Sequence, residues 1–176
     1  MRYYNYITEK KWLKGTMMGF PIKPGSLKRV RDYIRSWLER YKVDFDEVMN
    51  PHFSIAQIVG NYEKPELIRK MNKIKDISFN SKDIKIFRGV QVPKDFIVLE
   101  YKPNLTFIKS VESVARNFDI RKFEDVRPHV SLFTVEQGKI TDELLKDIKY
   151  SLPKLPKLKT KEIGLWNNKF EMESKV

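Results

Sequence analysis

The chain has 176 residues, with 35 Lys+Arg against 23 Asp+Glu, two histidines and no cysteine, and this length favours one domain over several independent cores. The missing cysteines exclude a disulfide scaffold, a thiolate nucleophile, an iron–sulfur cluster and any Cys-containing zinc site, and two histidines exclude a three-His zinc site. A net charge of +12 attracts polyanions, which points to a nucleic acid or nucleotide partner without naming a chemistry.

In chain order, Gly15 to Ile22 is short and apolar and predicts a strand. Pro24, Gly25 and Ser26 then introduce a helix with Leu27, Val30, Ile34, Trp37, Leu38 and Tyr41 on one face. Its other face carries Lys28, Arg29, Arg31, Arg35 and Arg40 and reads as a solvated stripe. His52 to Gly60 is rich in β-branched and aromatic residues and predicts a strand. Pro65 opens a second helical pattern through Leu67, Met71 and Ile74, extending to Ile77.

Asp83 to Gly89 alternates polar and apolar residues, and Phe96 to Tyr101 is an apolar run, so two strands joined around Val92-Pro93 are expected. Thr106 is the expected N-cap of a helix burying Phe107, Val111, Val114, Ala115 and Phe118. Arg127 to Val135 predicts another strand. Thr141 caps a fourth helix through Leu144, Leu145, Ile148 and Leu152, which Pro153 and Pro156 end. From Leu158 to Met172 one or two strands are expected, with a turn at Asn167-Asn168. Strands and helices alternate in both halves, so α+β or mixed α/β is favoured over a helical bundle. No linker separates the halves, and residues 1–176 are expected to form one domain whose two lobes share a core. No apolar stretch approaches the roughly 20 residues that span a bilayer, and Met1 to Trp12 lacks the apolar centre of a signal peptide. An intracellular protein without membrane contact is therefore expected.

Both histidines stand in one pattern. Residues 50 to 55 read Asn-Pro-His-Phe-Ser-Ile and residues 127 to 132 read Arg-Pro-His-Val-Ser-Leu. Random placement would give both histidines these neighbours with a probability on the order of 10⁻⁵. On a strand, positions i and i+2 share a face, so His52 lies beside Ser54 and His129 beside Ser131. Phe53, Ile55, Val130 and Leu132 would then point into a core and leave both histidines on the opposite side. Pro51 and Pro128 suit the first position of a strand, where a missing N–H costs least.

Such a pair can work as an acid–base couple. A neutral imidazole takes a proton from an attacking hydroxyl while a protonated one delivers a proton to a leaving oxygen. Each serine can donate to a phosphate oxygen, a bond to a charged group worth roughly 1.5–3 kcal/mol. A serine nucleophile is disfavoured, because i+2 on a strand lies alongside the ring and no acidic residue nearby orients it. A metal centre is disfavoured for want of a third ligand in either motif, and no cofactor is implied. The bland alternative is a pair of satisfied histidines at strand starts.

The Pro-His-Phe-Ser and Arg-Pro-His-Val-Ser-Leu pair resembles the signature of the two-histidine (2H) phosphoesterase superfamily, His-apolar-Thr/Ser-apolar. Met18-Gly-Phe-Pro-Ile-Lys-Pro resembles the first strand and turn of bacterial RNA 2',3'-cyclic phosphodiesterases in that superfamily. The resemblance implies a bilobal α+β fold, with two pseudo-symmetric antiparallel-rich sheets forming a central cleft and helices outside. It also implies metal-independent phosphodiester cleavage, with His52 and His129 catalytic and Ser54 and Ser131 binding phosphate.

Nucleobases flanking such a phosphate are commonly held by aromatic stacking. Phe20, Tyr101 and Trp166 are the candidate platforms and Arg127 is a candidate phosphate clamp. Tyr3, Tyr4 and Tyr6 form either an aromatic arm or another strand. The expected partner is a nucleotide, a cyclic oligonucleotide or RNA, acted on by a cytoplasmic monomer. For a viral or phage enzyme degrading nucleotide immune signals, the location would be the host cytoplasm. The rival readings are a non-catalytic RNA- or nucleotide-binding module on the same fold and a plain basic interaction domain.

Overall fold

A computed structural model describes residues 16–58, 65–66, 69, 77–89, 92–102, 104–117, 120–121, 128–160, 164–166 and 172–175. Strand β1 (Thr16–Pro21) leads through a 3₁₀ turn (Pro24–Leu27) into helix α1 (Lys28–Arg40), followed by β2 (Phe45–Glu47) and β3 (His52–Ile58). Next come β4 (Ile77–Phe79), β5 (Ser81–Arg88), β6 (Lys94–Tyr101), helix α2 (Leu105–Asn117), β7 (Ile120–Arg121) and β8 (His129–Glu136). Helix α3 (Asp142–Tyr150) and strands β9 (Leu158–Thr160), β10 (Gly164–Trp166) and β11 (Met172–Lys175) complete the order.

The strands form a five-stranded sheet ordered β11-β10-β1-β3-β7, a four-stranded sheet ordered β2-β8-β6-β5, and a β4-β9 ribbon. Among the described residues every pairing is antiparallel. The halves repeat one plan. β1, α1, β2 and β3 correspond in order to β6, α2, β7 and β8, and the central strands read β1-β3-β7 in one sheet and β6-β8-β2 in the other. Each half therefore lends its short second strand, β2 or β7, to the edge of the other half's sheet. His129 follows His52 by 77 positions (129 − 52), and α2 begins 77 positions after α1 (105 − 28).

Burial follows the apolar periodicity. Leu27, Val30, Ile34 and Leu38 on the α1 stripe, Phe53 on β3, Val130, Leu132, Phe133 and Val135 on β8, and Leu144 and Ile148 on α3 belong to one cluster drawn from both sheets. Phe53 ties the layers together: its ring stacks on Phe79 at 4.1 Å and meets Tyr101 edge-on at 5.0 Å. Aromatic pairs of this kind add roughly 0.5–1.5 kcal/mol beyond the area they bury.

The structure departs from the sequence expectations at several points. Ile77 starts strand β4, paired with β9, rather than closing a helix. That partner lies about 80 residues away (158 − 79 = 79), and local periodicity carries no trace of it. Asn104 caps α2 in place of Thr106: its Oδ1 accepts the Phe107 N–H at 2.8 Å while its amide donates to the Ser78 carbonyl. Thr141 does cap α3, accepting the Leu144 N–H at 3.1 Å. That helix ends at Tyr150, before Leu152.

The basic face of α1 is only partly a solvated stripe. Arg31 is buried, its guanidinium donating to Glu47 at 2.9 Å and to the Val48 carbonyl at 2.5 Å, while Arg35 reaches the second Glu47 oxygen at 2.6 Å. These arginines fasten α1 to β2. Most of the segment from Pro65 to Ile74, the Asn167-Asn168 turn and Tyr3, Tyr4 and Tyr6 lie outside the described residues.

Candidate active site

His52 opens β3 and His129 opens β8, at equivalent places in the two halves. Opposite β3 on β1, Pro21 pairs with His52, Phe20 with Phe53 and Gly19 with Ser54. Opposite β8 on β6, Glu100 pairs with His129, Leu99 with Val130 and Val98 with Ser131. The ladders even continue alike: the Ile22 N–H donates to the Pro51 carbonyl at 2.9 Å and the Tyr101 N–H to the Pro128 carbonyl at 2.8 Å. Each proline thus keeps the carbonyl half of its pairing and loses only an N–H it does not possess.

The two faces of these strands differ as the alternation requires. Phe53, Val130 and Leu132 are fully buried, whereas His52, Ser54, His129 and Ser131 are half-buried. Val98, opposite Ser131, is also fully buried yet stands apart from the main cluster, as expected for a residue on the histidine face. Phe87, from β5, meets the His129 ring edge-on at 4.9 Å on that face. It is a half-buried aromatic that periodicity alone did not single out, because its relation to His129 depends on the β5-β6-β8 order. β3 and β8 belong to different sheets but pack against each other.

The two rings have different surroundings. His52 Nδ1 lies 2.9 Å from the Asn50 carbonyl oxygen. Since a carbonyl only accepts, this bond puts the proton on Nδ1 and, in the neutral ring, the acceptor lone pair on Nε2. Burial pushes the His52 pKa below the ordinary imidazole value, with the Asn50 bond opposing it. The neutral form, which can take a proton, is thereby favoured near pH 7.

Two proposed base platforms are instead core residues. Phe20 and Tyr101 are each 1% exposed, with Phe20 packed near Phe79 and Tyr101 against Phe53 and Phe79. Both face the same side as Phe53, away from the histidines: Phe20 is the cross-strand partner of Phe53, and Tyr101 is the neighbour of Glu100, which pairs with His129, so alternation turns it to the other face. Burial also drives the Tyr101 phenol far above its usual pKa. For Trp166 the structure gives the strand position, opposite Met17 in β10. Its side chain and Arg127 lie outside the described residues. Among the described residues no group of three His, Asp or Glu side chains could hold a metal ion, and no helix is long and apolar enough to cross a membrane.

The overall fold recurs in solved structures of low sequence similarity. Kluyveromyces marxianus Usb1 with uridine monophosphate superposes with a TM-score of 0.61 at 10% identity, over 94% of this chain and 97% of that one. TT0787 of Thermus thermophilus gives 0.56 at 10% identity, over 92% and 96%. E. coli LigT complexed with 3'-AMP gives 0.51 at 15% identity, over 86% and 87%. All three are 2H phosphoesterase superfamily members. The chain has the 2H phosphoesterase fold. No family model and no curated protein sequence matches it, which agrees with likeness carried by topology at identities this low.

Proposed function

We propose that the chain is a metal-independent phosphodiesterase acting on an RNA-type, 2',5'-linked or cyclic oligonucleotide phosphodiester. The observation that carries this reading is that the chain's entire histidine supply stands at equivalent starts of β3 and β8. Each histidine has a serine beside it and the shared core behind it. The fold's occurrence in Usb1 solved with uridine monophosphate and LigT solved with 3'-AMP, together with the net charge of +12, supports a nucleotide ligand.

In this reading Ser54 and Ser131 donate to the non-bridging phosphate oxygens. One imidazole removes the proton of a water or a ribose 2'-hydroxyl as that oxygen attacks phosphorus. The opposite imidazolium gives its proton to the leaving ribose oxygen as the P–O bond breaks. The two histidines exchange charge states over the step, and a later proton exchange with water resets them. Gly19 and Pro21, opposite Ser54 and His52, place no long side chain over that half of the site, which leaves room for the substrate there. Degradation of nucleotide immune signals by a viral or phage enzyme is one role this chemistry would serve.

The test is incubation in EDTA with cyclic dinucleotides, cyclic trinucleotides, 2',5'-oligoadenylate and RNA ending in a 2',3'-cyclic phosphate, using wild-type, His52→Ala and His129→Ala proteins. Cleavage of at least one substrate is expected, falling about 10²–10⁴-fold in each variant. Undiminished turnover in either variant would overturn the reading. Salt-sensitive binding without turnover would favour a non-catalytic nucleotide-binding module instead.

A further inference from the structure

The two halves of the site differ at one position that the symmetry makes equivalent. Across the ladder from His52 stands Pro21; across from His129 stands Glu100. Because the Tyr101 N–H bonds the Pro128 carbonyl, the adjacent Glu100–His129 pair is a narrow, non-hydrogen-bonded one, the type in which facing side chains lie closest. Glu100 is 5% exposed, and among the described residues its Oε2 has no hydrogen-bond donor. The Lys82 ammonium, on the bulge of β5, lies 3.4 Å from that oxygen and is half exposed. A carboxylate buried this deeply is costly unless a positive charge offsets it, and the Lys82 ammonium approaches it from the solvent side.

We propose that Glu100 is a positioning residue for His129, holding its ring in the charged form and so making His129 the proton donor to the leaving oxygen and His52 the acceptor. This rests on the catalytic reading of the two histidines given above. Among the described residues, the other carboxylates of these strands are already matched. Asp83 on β5 pairs with Lys149 of α3 at 2.7 Å and with Lys85 at 3.4 Å. Phe87 is uncharged, and Ser131 and Val98 carry no charge beside the ring. From β3, the strand packed on β8, His52 and Ser54 are the polar side chains on the corresponding face among the described residues. At β2, the Asp46 carboxylate is held by Lys94 at 2.6 Å. Glu100 is the anion in register with His129.

Two histidines make the experiment direct, since each ring carbon-bound proton can be assigned by NMR with the His52→Gln and His129→Gln proteins. In Glu100→Gln the His129 titration midpoint is expected to fall by about one pH unit, the size of a nearby opposite charge, with His52 unmoved. In Lys82→Gln, which frees the carboxylate, the His129 midpoint is expected to rise. The high-pH limb of kcat/KM should follow His129 in both variants, and Glu100→Asp should restore part of the shift. An unchanged His129 midpoint in Glu100→Gln overturns the proposal, and so does an unchanged one in Lys82→Gln if the first variant does not fold. The titrations need no substrate. A wild-type protein that cleaves nothing would thus sink the phosphodiesterase reading while the midpoints still decide the Glu100–His129 coupling.

Discussion

Ile55 and Leu132 occupy the same place in their strands: each follows the motif serine, and each is the residue skipped in the pairing with the neighbouring strand, β1 or β6. On β3 the register passes from Ser54↔Gly19 to Ala56↔Met18, and on β8 from Ser131↔Val98 to Phe133↔Ile97. A β-bulge of this kind bends the strand, raises its twist and re-aims neighbouring side chains. In β8 its mark is that the consecutive residues Leu132 and Phe133 both belong to the main core cluster, whereas on β6 the equally buried Val98 stands apart from it. The two bulges end regular pairing immediately behind each His-Ser couple, so both couples meet the same local geometry.

If the serines hold phosphate, Ser54→Ala and Ser131→Ala should each lower kcat/KM by about 10- to 100-fold, the loss of one hydrogen bond to a charged group. Ser→Thr at either site keeps the donor and should retain most activity. Steady-state kinetics on the best substrate of the panel checks this. Complete loss in a single Ser→Ala variant, with the other serine unimportant, would point to a nucleophile.

The depressed His52 pKa has a sign that can be followed in stability as well as in rate. In the unfolded chain His52 titrates near 6.5, and burial lowers it in the fold. The unfolded state therefore binds the proton more readily. His52 thus contributes stability that is fully present above about pH 6.5 and is lost as pH falls through the unfolded value towards the folded one. Urea unfolding between pH 5 and 8 should show a slope that flattens in His52→Gln. The low-pH limb of kcat/KM should lie below 6.5 for the same reason.

Tyr101 and Phe53 separate core from site. Phe53→Ala removes the ring packed on Phe79 and Tyr101 and should cost about 3–5 kcal/mol. Tyr101→Phe loses only the bond from its hydroxyl to the Pro156 carbonyl, 3.3 Å long. It should cost about 1 kcal/mol and leave kcat/KM unchanged. A large drop in kcat/KM for Tyr101→Phe, with stability kept, would return Tyr101 to the substrate side.

Arg31 offers a test of the α1 face. Arg31→Met removes the buried guanidinium's bonds to Glu47 and to the Val48 carbonyl and leaves Glu47, in β2, with Arg35 alone, which should cost about 1.5–3 kcal/mol. Lys28→Met breaks an exposed pair with Asp32 and should change stability by less than about 0.5 kcal/mol. Parallel urea titrations distinguish the two.

What the sequence determined by itself was local in origin. The His-x-Ser spacing assigned a shared face to each couple because side chains alternate along a strand whatever its neighbours are. The stripe on α1 and the Thr141 cap were likewise legible, since both depend on residues three or four apart. Only the tertiary structure decided what depends on distant partners: strand β4 at Ile77, the exchange of β2 and β7, the burial of Arg31, and the core placement of Phe20 and Tyr101. An aromatic at a strand end looks the same in sequence whether its face meets solvent or another sheet, and what lies opposite sets its burial. The same holds for Glu100. In sequence it is an acidic residue beside a tyrosine, 29 positions before His129 (129 − 100). The β6-β8 ladder makes it the neighbour of that histidine and gives the two halves of a repeated motif unequal surroundings.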